Sequence, residues 1–265
     1  MSNELLIAYK NSQRETWGLF APLDMMTTVT ATALVKFSQL QPGNSVLDVG
    51  CGTGVVAITA ARRGAIVSGL DLSPQLLEYA DKNKILAKVN VDFKQGDVEA
   101  LPYPDESFDV VLSQFGHMFA PNAQLAIDEM LRVLKPGGII AFSTWPPEHF
   151  VGRLFALVSK YNPPPLAIDS PSQWGAPDVV KNRLGNKVSE VTFDYDSMYF
   201  PALSLAHYRR TVEKTLGPVV TFVEQSQNDS EALKNFRAEV DKLAEQYFED
   251  NQIHQCFLMT RALKV

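Results

Sequence analysis

Alternating glycines make the segment from Val46 to Gly54 the stretch of the sequence best suited to ligand chemistry. It reads Val-Leu-Asp-Val-Gly-Cys-Gly-Thr-Gly, an apolar run followed by glycines at 50, 52 and 54. Because glycine lacks a Cβ, the backbone can turn sharply there and approach a ligand closely. Asp71 ends the next apolar run, where the acid of a dinucleotide-binding fold accepts both ribose hydroxyls. The spacing predicts a site for a nucleoside-containing cofactor, either NAD or S-adenosylmethionine.

Two details of this segment distinguish the two cofactors. Val55 stands where the dinucleotide fingerprint G-x-G-x-x-G requires its third glycine. Asp48 precedes the turn, and its carboxylate would repel a diphosphate but attract the ammonium of a methionine moiety, directly or through water. Both details favour S-adenosylmethionine, and an NAD-dependent oxidoreductase is the less favoured alternative.

The elements around this loop predict a parallel α/β sheet. Short runs rich in Val, Ile and Phe alternate with helical segments, which is typical of strands buried on both faces. The predicted strands are 46–49, 66–70, 89–93, 108–112 and 139–142. The segments 188–193 and 256–263 predict an antiparallel pair that completes the sheet.

The sequence also suggests three regions. Residues 1–40 read as helical, including a helix from Asp24 to Phe37, and are predicted to form an N-terminal lid. Residues 41–145 form the predicted cofactor-binding core. Residues 146–265 begin with a proline-rich change in character and are predicted to hold a substrate cap and the closing strands.

Three motifs in order resemble the class I S-adenosylmethionine-dependent methyltransferases. Residues 47–54 resemble motif I of that family, residues 96–111 its segment joining the third and fourth strands, and residues 131–138 the segment before its fifth strand. The similarity is closest to the branch of the ubiquinone and menaquinone C-methyltransferases. The resemblance implies a Rossmann-like, doubly wound, mostly parallel seven-stranded sheet with helices on both faces and a helical cap.

The resemblance also assigns a cofactor site. Gly50, Cys51, Gly52 and Gly54 are expected to wrap the methionine and ribose of S-adenosylmethionine, with Asp48 near the ammonium. Further along the chain, the expected cofactor contacts are made by Asp71 on the ribose, Leu72 and Val98 on the adenine ring, Asp97 on the adenine amino group and Ser113 near the sulfonium. Cys51 is interpreted as a small residue beside the cofactor rather than a nucleophile.

The sequence after the fourth strand bears on the methyl acceptor. Enzymes that methylate amino groups of adenine or glutamine carry Asn/Asp-Pro-Pro-Tyr there, whereas this chain has Ser-Gln-Phe-Gly at 113–116, and the Asn-Pro-Pro-Pro at 162–165 follows the fifth strand. A carbon or oxygen of a small molecule, quinone-like or phenolic, is therefore the expected acceptor. His117 is the candidate base. The predicted substrate-pocket residues are Tyr9, Trp17, Gln114 and Phe115.

Composition narrows the function classes. A net charge of −6 argues against nucleic acid as a partner. The two cysteines, Cys51 and Cys256, set up neither a disulfide framework nor a metal site, so no metal is expected and the cytoplasm is the predicted location. We expect a soluble chain without a membrane span. The oligomeric state is left open, and a non-catalytic S-adenosylmethionine-binding module remains an alternative, as does a fold relative that uses the cofactor for other chemistry.

Overall fold

A computed structural model describes residues 3–164, 168–226 and 230–265, so Pro165 of the proline run lies outside the described residues. Helices and strands alternate through most of the chain. The strands are β1 Ser45–Val49, β2 Ile66–Asp71, β3 Val91–Gln95, β4 Phe108–Gln114, β5 Leu134–Thr144, β6 Val188–Pro201, β7 Phe248–Glu249 and β8 Gln252–Lys264. The helices are α1 Asn3–Thr16, α2 Asp24–Phe37, α3 Val55–Arg62, α4 Pro74–Ala87, α5 Ala123–Val133, α6 Phe150–Tyr161, α7 Pro177–Leu184, α8 Leu205–Thr215, α9 Gly217–Gln225 and α10 Ser230–Glu245.

The sheet confirms the predicted class. Its strand order is β3-β2-β1-β4-β5-β8-β6, with the first five strands parallel and β8 antiparallel to both β5 and β6. The predicted antiparallel pair near the C-terminus is therefore present. An eighth strand, β7, was not predicted; it has two residues and pairs with β8 beside the seven-strand path.

Two apolar cores lie on opposite faces of the sheet. Successive residues of β1 belong to different cores. Val46 packs in the core that contains Leu34 of α2 and Ala57 of α3. Leu47 packs in the core that contains Ile127 of α5. Successive residues of a strand point to opposite faces, so two covered faces need helices on both sides. Both faces of the sheet are thus covered, as the fold class requires.

The region after β5 is more helical than its prolines suggest. Four helices, α6 and α8 to α10, pack with one another and with the sheet, and their buried aromatic residues belong to the larger core. The periodic segment that ends near Tyr247 forms α10, which buries Phe236, Val240 and Leu243. This helical layer stands beside the carboxyl ends of the parallel strands and supplies walls for the site described next.

One N-terminal helical stretch bears on the expectation that the chain lacks a membrane span. The segment Glu4–Phe37 is long and apolar enough to cross a membrane by length and composition alone, with a mean hydropathy of 1.3 in its most apolar window. A third of that window is buried inside the protein, and helices of a protein core pass the same test. The segment is divided by a 3₁₀ turn at Trp17–Leu23, between α1 and α2.

Candidate cofactor and acceptor site

The loop between β1 and α3 adopts the backbone that its glycines permit. Gly50, Gly52 and Gly54 have φ angles of 64°, 53° and 84°, in the left-handed region that disfavours residues with a Cβ. A Cβ on Gly50 would lie 2.8 Å from the Cα of Gly116, whereas one on Gly52 would meet no atom within 4 Å. Gly50 is therefore needed for packing, and Gly52 leaves the open space that a bound group can fill.

Gly54 has a structural place in the loop. It is the N-terminal cap residue of α3, and a Cβ there would lie 2.7 Å from Cζ of Phe93. It does not line the cavity, although Gly50, Cys51 and Gly52 do. The structure therefore separates the glycines that face the cavity from the one that seats a helix.

Asp71 fastens the glycine loop from the end of β2. Its Oδ2 accepts a hydrogen bond from the Gly52 amide at 2.7 Å, and its Oδ1 accepts one from the Ser73 amide at 2.8 Å. Burial raises the pKa of this carboxyl, although the amides of Ser73 and Gly52 oppose the shift. Each carboxylate oxygen has two acceptor sites, so both can also receive a ribose hydroxyl. The group thus orders the loop and still has free acceptor sites at the cavity it lines.

Asp48 is a buried acid with an unused oxygen. The residue is only 1% exposed. Its Oδ2 accepts a hydrogen bond from the Ala57 amide at 2.9 Å, whereas its Oδ1 has no partner among the described residues. Burial raises its pKa to about 7, the Ala57 amide opposes that rise, and the charge of Asp71 adds to it. A cation bound in the cavity beside it would supply the missing partner, which fits the ammonium of S-adenosylmethionine.

Cys51 is a small, enclosed residue of the glycine loop. The thiol is buried, and its Sγ lies 3.2 Å from where a Cβ on Gly69 would stand. Burial raises the pKa of the thiol well above its usual value, and the neighbouring Asp71 and Asp48 carboxylates add to the effect. A protonated, enclosed thiol is a poor nucleophile.

The adenine end of the predicted site is connected to the N-terminal helix. Leu72, Asp97 and Val98 all line the cavity. Lys10 of α1 lies between two carboxylates, with Nζ 2.7 Å from Asp97 and 2.6 Å from Glu99. Burial lowers the pKa of the Lys10 ammonium, but bonds to the two carboxylates outweigh burial and raise it. This ion pair, which the sequence analysis missed, closes α1 over the loop that follows β3.

Ser113 is not where the resemblance placed it. It lies within β4, is completely buried and does not line the cavity. Its hydroxyl donates to the Val49 carbonyl at 2.7 Å and accepts from the His117 amide at 3.1 Å. Ser113 therefore ties the end of β4 to β1, and we do not assign it a contact with the sulfonium.

Gln114 and Phe115, which were predicted for the substrate pocket, both line the cavity. The Gln114 amide donates from Nε2 to the Thr27 carbonyl at 2.9 Å and to the Thr30 hydroxyl at 2.8 Å, which fixes its orientation. Phe115 has a φ of 58°, rare for a bulky side chain, and stacks on Trp145 with ring centroids 4.0 Å apart. Such strain at a turn is typical of functional sites, where surrounding packing holds it in place.

His117 is a poor candidate for the base. Its side chain is fully buried, with its ring 4.7 Å from both Phe142 and Trp174, and neither ring nitrogen has a partner among the described residues. Burial, together with the nearby Arg183 charge, lowers the pKa of the imidazole to about 3. An imidazole that resists protonation accepts a proton weakly, so we do not assign it the role of base.

The two predicted N-terminal pocket residues differ. Trp17 lines the cavity and packs on Phe119, with ring centroids 4.5 Å apart. Tyr9 does not line it; its hydroxyl accepts a hydrogen bond from Gln13, which also donates to the Phe119 carbonyl at 3.2 Å. Tyr9 therefore anchors α1, and Gln13, which was not predicted, lines the cavity.

A single cavity extends from the glycine loop into the helical layer. Its volume, including the open mouth, is about 1560 Å³. Among the described residues, the charged ones that line it all lie at the cofactor end, namely Lys10, Asp48, Asp71 and Asp97. Beyond Phe115 the wall is largely apolar and includes residues that the sequence analysis did not assign to the site: Trp145, Val151, Leu154, Phe155, Met198, Phe200, Tyr208, Val212 and Gln255. Among the described residues no cluster of His, Cys, Asp or Glu suits a metal ion.

Comparisons with known proteins agree with this geometry. Residues 47–142 match the model of a methyltransferase domain. The chain is 31% identical over 259 residues to the uncharacterized protein Rv1403c of Mycobacterium tuberculosis, which covers 96% of this chain and 94% of the relative. It is 38% identical over 138 residues to a demethylmenaquinone methyltransferase of Tropheryma whipplei. That aligned region spans 51% of this chain and 56% of the relative.

A solved structure supports the fold. The YcgJ protein of Bacillus subtilis superposes with a TM-score of 0.59 at 17% identity, covering 89% of this chain and 97% of that protein. The glycine loop, the acid after β2 and the sheet order together define a nucleoside-cofactor enzyme with a Rossmann-like fold. The chain belongs to the class I S-adenosylmethionine-dependent methyltransferases, and its cofactor is S-adenosylmethionine. The NAD-dependent alternative is thereby set aside.

Proposed function

We propose that this enzyme methylates a carbon or an oxygen of a small, uncharged, ring-containing molecule of the quinone-like or phenolic kind. The observation that supports this is the charge distribution of the cavity, whose charged residues all lie at the cofactor end and whose remaining wall is largely apolar. An unpaired charge on a ligand would have to leave water for that wall without a partner, which is costly. A neutral apolar acceptor carries no such cost.

The family of the chain gives further support to a small acceptor. The relative from Tropheryma whipplei is named for demethylmenaquinone, and the similarity to it spans about half of this chain. We infer that this chain takes an acceptor of related shape, an aromatic or quinoid ring, between Phe115 and the walls supplied by α6, β6 and α8. The aromatic faces there favour flat rings through stacking and edge-on contacts.

The residues of the chain divide the work in a simple way. S-adenosylmethionine, when bound, supplies an activated methyl group on a positively charged sulfur. Asp48 is positioned to neutralise the ammonium of the cofactor, Asp71 to accept its ribose hydroxyls and Asp97 to accept a hydrogen bond from its adenine. The wall around Phe115 and Trp145 orients the acceptor and excludes water, and such alignment accounts for most of the catalysis that a methyl transfer needs.

Binding of the cofactor is tested first. Calorimetric titrations with S-adenosylmethionine, S-adenosylhomocysteine and NADH should show tight binding of the two sulfur compounds and none of NADH. Asp71→Ala should weaken binding by roughly tenfold or more, because charge-assisted hydrogen bonds to the ribose are lost. NADH binding without the others would contradict the proposal.

Turnover is tested next. Transfer of a labelled methyl group to a panel of quinols, phenols, amines and carboxylates should occur with the quinols or phenols and not with the charged compounds. Transfer to amines alone would contradict the proposed acceptor class. The two thiols, one buried and one half-buried and neither in a disulfide, support a reducing compartment such as the cytoplasm as the place to look for the acceptor.

A further inference from the structure

Two polar side chains stand out in the otherwise apolar part of the cavity. Tyr208 of α8 and Gln255 of β8 both line it, and they are only 1% and 5% exposed. Neither the Tyr208 hydroxyl nor the Gln255 amide has a side-chain hydrogen bond to any described residue, and neither is among the enclosed polar atoms that lack a partner. The small accessible part of each side chain therefore faces the cavity.

Most of the other polar groups on the wall bond to protein atoms or belong to the cofactor end. Gln13 donates to Tyr9 and to the Phe119 carbonyl, the Thr27 hydroxyl donates to the Asp24 carbonyl, and the Gln114 amide donates to α2. Thr53 belongs to the glycine loop. The Gln114 Oε1 and both ring nitrogens of His117 also lack a partner among the described residues, but protein atoms enclose them. Tyr208 and Gln255 are therefore two polar residues of the acceptor end that remain free to bond a ligand.

The fold brings these two residues to one wall. Gln255 is directly opposite Met198 in the antiparallel pairing of β6 with β8, and Phe200 lies two positions further along the same face of β6. The ring of Tyr208 packs edge-on against Phe200, with centroids 5.0 Å apart. Met198 and Phe200 both line the cavity between them. Tyr208 and Gln255 are therefore neighbours across a short apolar stretch of the same surface.

A buried polar group without a partner is costly, and natural proteins keep one where a ligand or a water satisfies it. Burial also raises the pKa of Tyr208 strongly, so its hydroxyl stays protonated and can donate. The Gln255 amide can both donate and accept. Their chemistry suits an uncharged oxygen, either a hydroxyl or a carbonyl, on an apolar frame.

We propose that Tyr208 and Gln255 bind an oxygen of the methyl acceptor and thereby select acceptors that carry a hydroxyl or carbonyl on an apolar ring over the unsubstituted ring. This inference rests on the proposed function, since it takes the cavity as the acceptor site. It assigns acceptor recognition to residues from the C-terminal half of the chain, whereas the cofactor contacts come from the N-terminal half.

The test compares two probes that differ by one hydroxyl. Binding of 1-naphthol and of naphthalene is measured by equilibrium dialysis on protein saturated with S-adenosylhomocysteine. The wild-type protein should bind 1-naphthol at least about tenfold more tightly than naphthalene. This is the typical gain when a buried polar group forms a hydrogen bond with a ligand. In the Tyr208→Phe/Gln255→Met double variant the two affinities should differ by less than about twofold, with naphthalene binding retained.

Two controls separate recognition from folding. Tyr199→Phe removes the same hydroxyl from an exposed tyrosine of β6, which stacks on His254 away from the cavity, and should leave the preference intact. The affinity for S-adenosylhomocysteine should be unchanged in every variant. Equal affinities in the wild-type protein, no binding of either ring, or a preference that survives in the double variant would overturn the inference. Loss of S-adenosylhomocysteine binding by the wild-type protein would instead contradict the proposed function.

Discussion

Replacing Asp48 by asparagine should stabilise the ligand-free protein and weaken cofactor binding at the same time. The carboxyl is 1% exposed, and burial raises its pKa to about 7 from an ordinary value of 3.8. Because the folded-state pKa lies above that of the unfolded chain, ionisation of Asp48 destabilises the fold. The cost is absent below the unfolded-state pKa, grows as the pH rises and is complete above about pH 7.

The magnitude follows from the shift. At about 1.4 kcal/mol per pKa unit, burying the charge costs about 4 kcal/mol at most at alkaline pH. Between about pH 5 and pH 8 the cost grows by about 2 to 3 kcal/mol. Asparagine can still accept the hydrogen bond from the Ala57 amide and carries no charge, so Asp48→Asn should gain stability by about that difference over the same pH interval.

Urea unfolding of the wild-type protein and of Asp48→Asn at the two pH values measures this difference. Asp109 provides a matched control of opposite sign, because bonds from Lys135 and Ser45 lower the pKa of its carboxyl to about 2. A depressed pKa contributes stability above the unfolded-state value, which is lost as the pH falls toward about 2, so Asp109→Asn should destabilise the protein at both pH values. An Asp48→Asn gain that does not depend on pH would refute the reasoning.

The functional half of the prediction uses the same variant. A bound ammonium favours the ionised carboxylate, so cofactor binding should release a proton from wild-type Asp48 below about pH 7, and the affinity should increase with pH through that range. Asp48→Asn should bind S-adenosylhomocysteine roughly tenfold or more weakly with little pH dependence. Unchanged cofactor affinity in the variant would show that the ammonium lies elsewhere.

The remaining predictions concern the glycine loop and helix α1. Gly50→Ala should lower the thermal midpoint of unfolding by several degrees, because its Cβ would lie 2.8 Å from the Cα of Gly116. Gly52→Ala should cost about 1 kcal/mol of backbone strain. It should nevertheless abolish tight cofactor binding measured by calorimetry, because its Cβ would enter the open space. A Gly52→Ala protein that binds normally would contradict the assignment of that open space. Lys10→Met should speed proteolytic cleavage within α1 and weaken cofactor binding a few-fold, and unchanged cleavage would show that the ion pair does not hold the helix.

Much of the sheet could be predicted because its signals are local. Apolar runs bounded by Gly, Pro and Asp located four of the five parallel strands to within two residues at each end, whereas β5 begins five residues earlier than predicted. The glycines at 50, 52 and 54 indicated the loop between β1 and α3. The boundaries at strand ends were less accurate. β4 continues through Ser113 and Gln114, and this shift places Ser113 between two strands instead of at the cofactor. Two residues of added strand length were enough to change the role of Ser113.

Most of the acceptor end beyond Trp17, Gln114 and Phe115 could not be predicted, because it depends on contacts between distant segments. An aromatic residue such as Tyr208 reads the same in a core or on a cavity wall, and only the packing of α8 against β6 decides between them. Gln255 lies in a strand whose apolar and polar residues alternate. The sequence therefore indicates which face of the strand carries Gln255, but not which segment packs against that face. The burial of His117 between two aromatic rings depends on Trp174, which lies 57 positions away.

The place of β8 in the sheet has a consequence for how the chain must fold. β8 lies between β5 and β6, and Thr144 pairs with Leu258, more than one hundred residues further along the chain. During synthesis, the outer edge of β5 therefore stays unpaired while α6 to α10 are made. This strand is strongly apolar, because it contains Ile140, Ala141 and Phe142. An open, apolar strand edge is a template for association with other chains. The sheet contacts that form last are thus the ones that protect the nascent protein from aggregation. In a host that translates slowly or has few chaperones, the yield of soluble protein should fall, whereas the protein that does fold should keep its affinity for the cofactor.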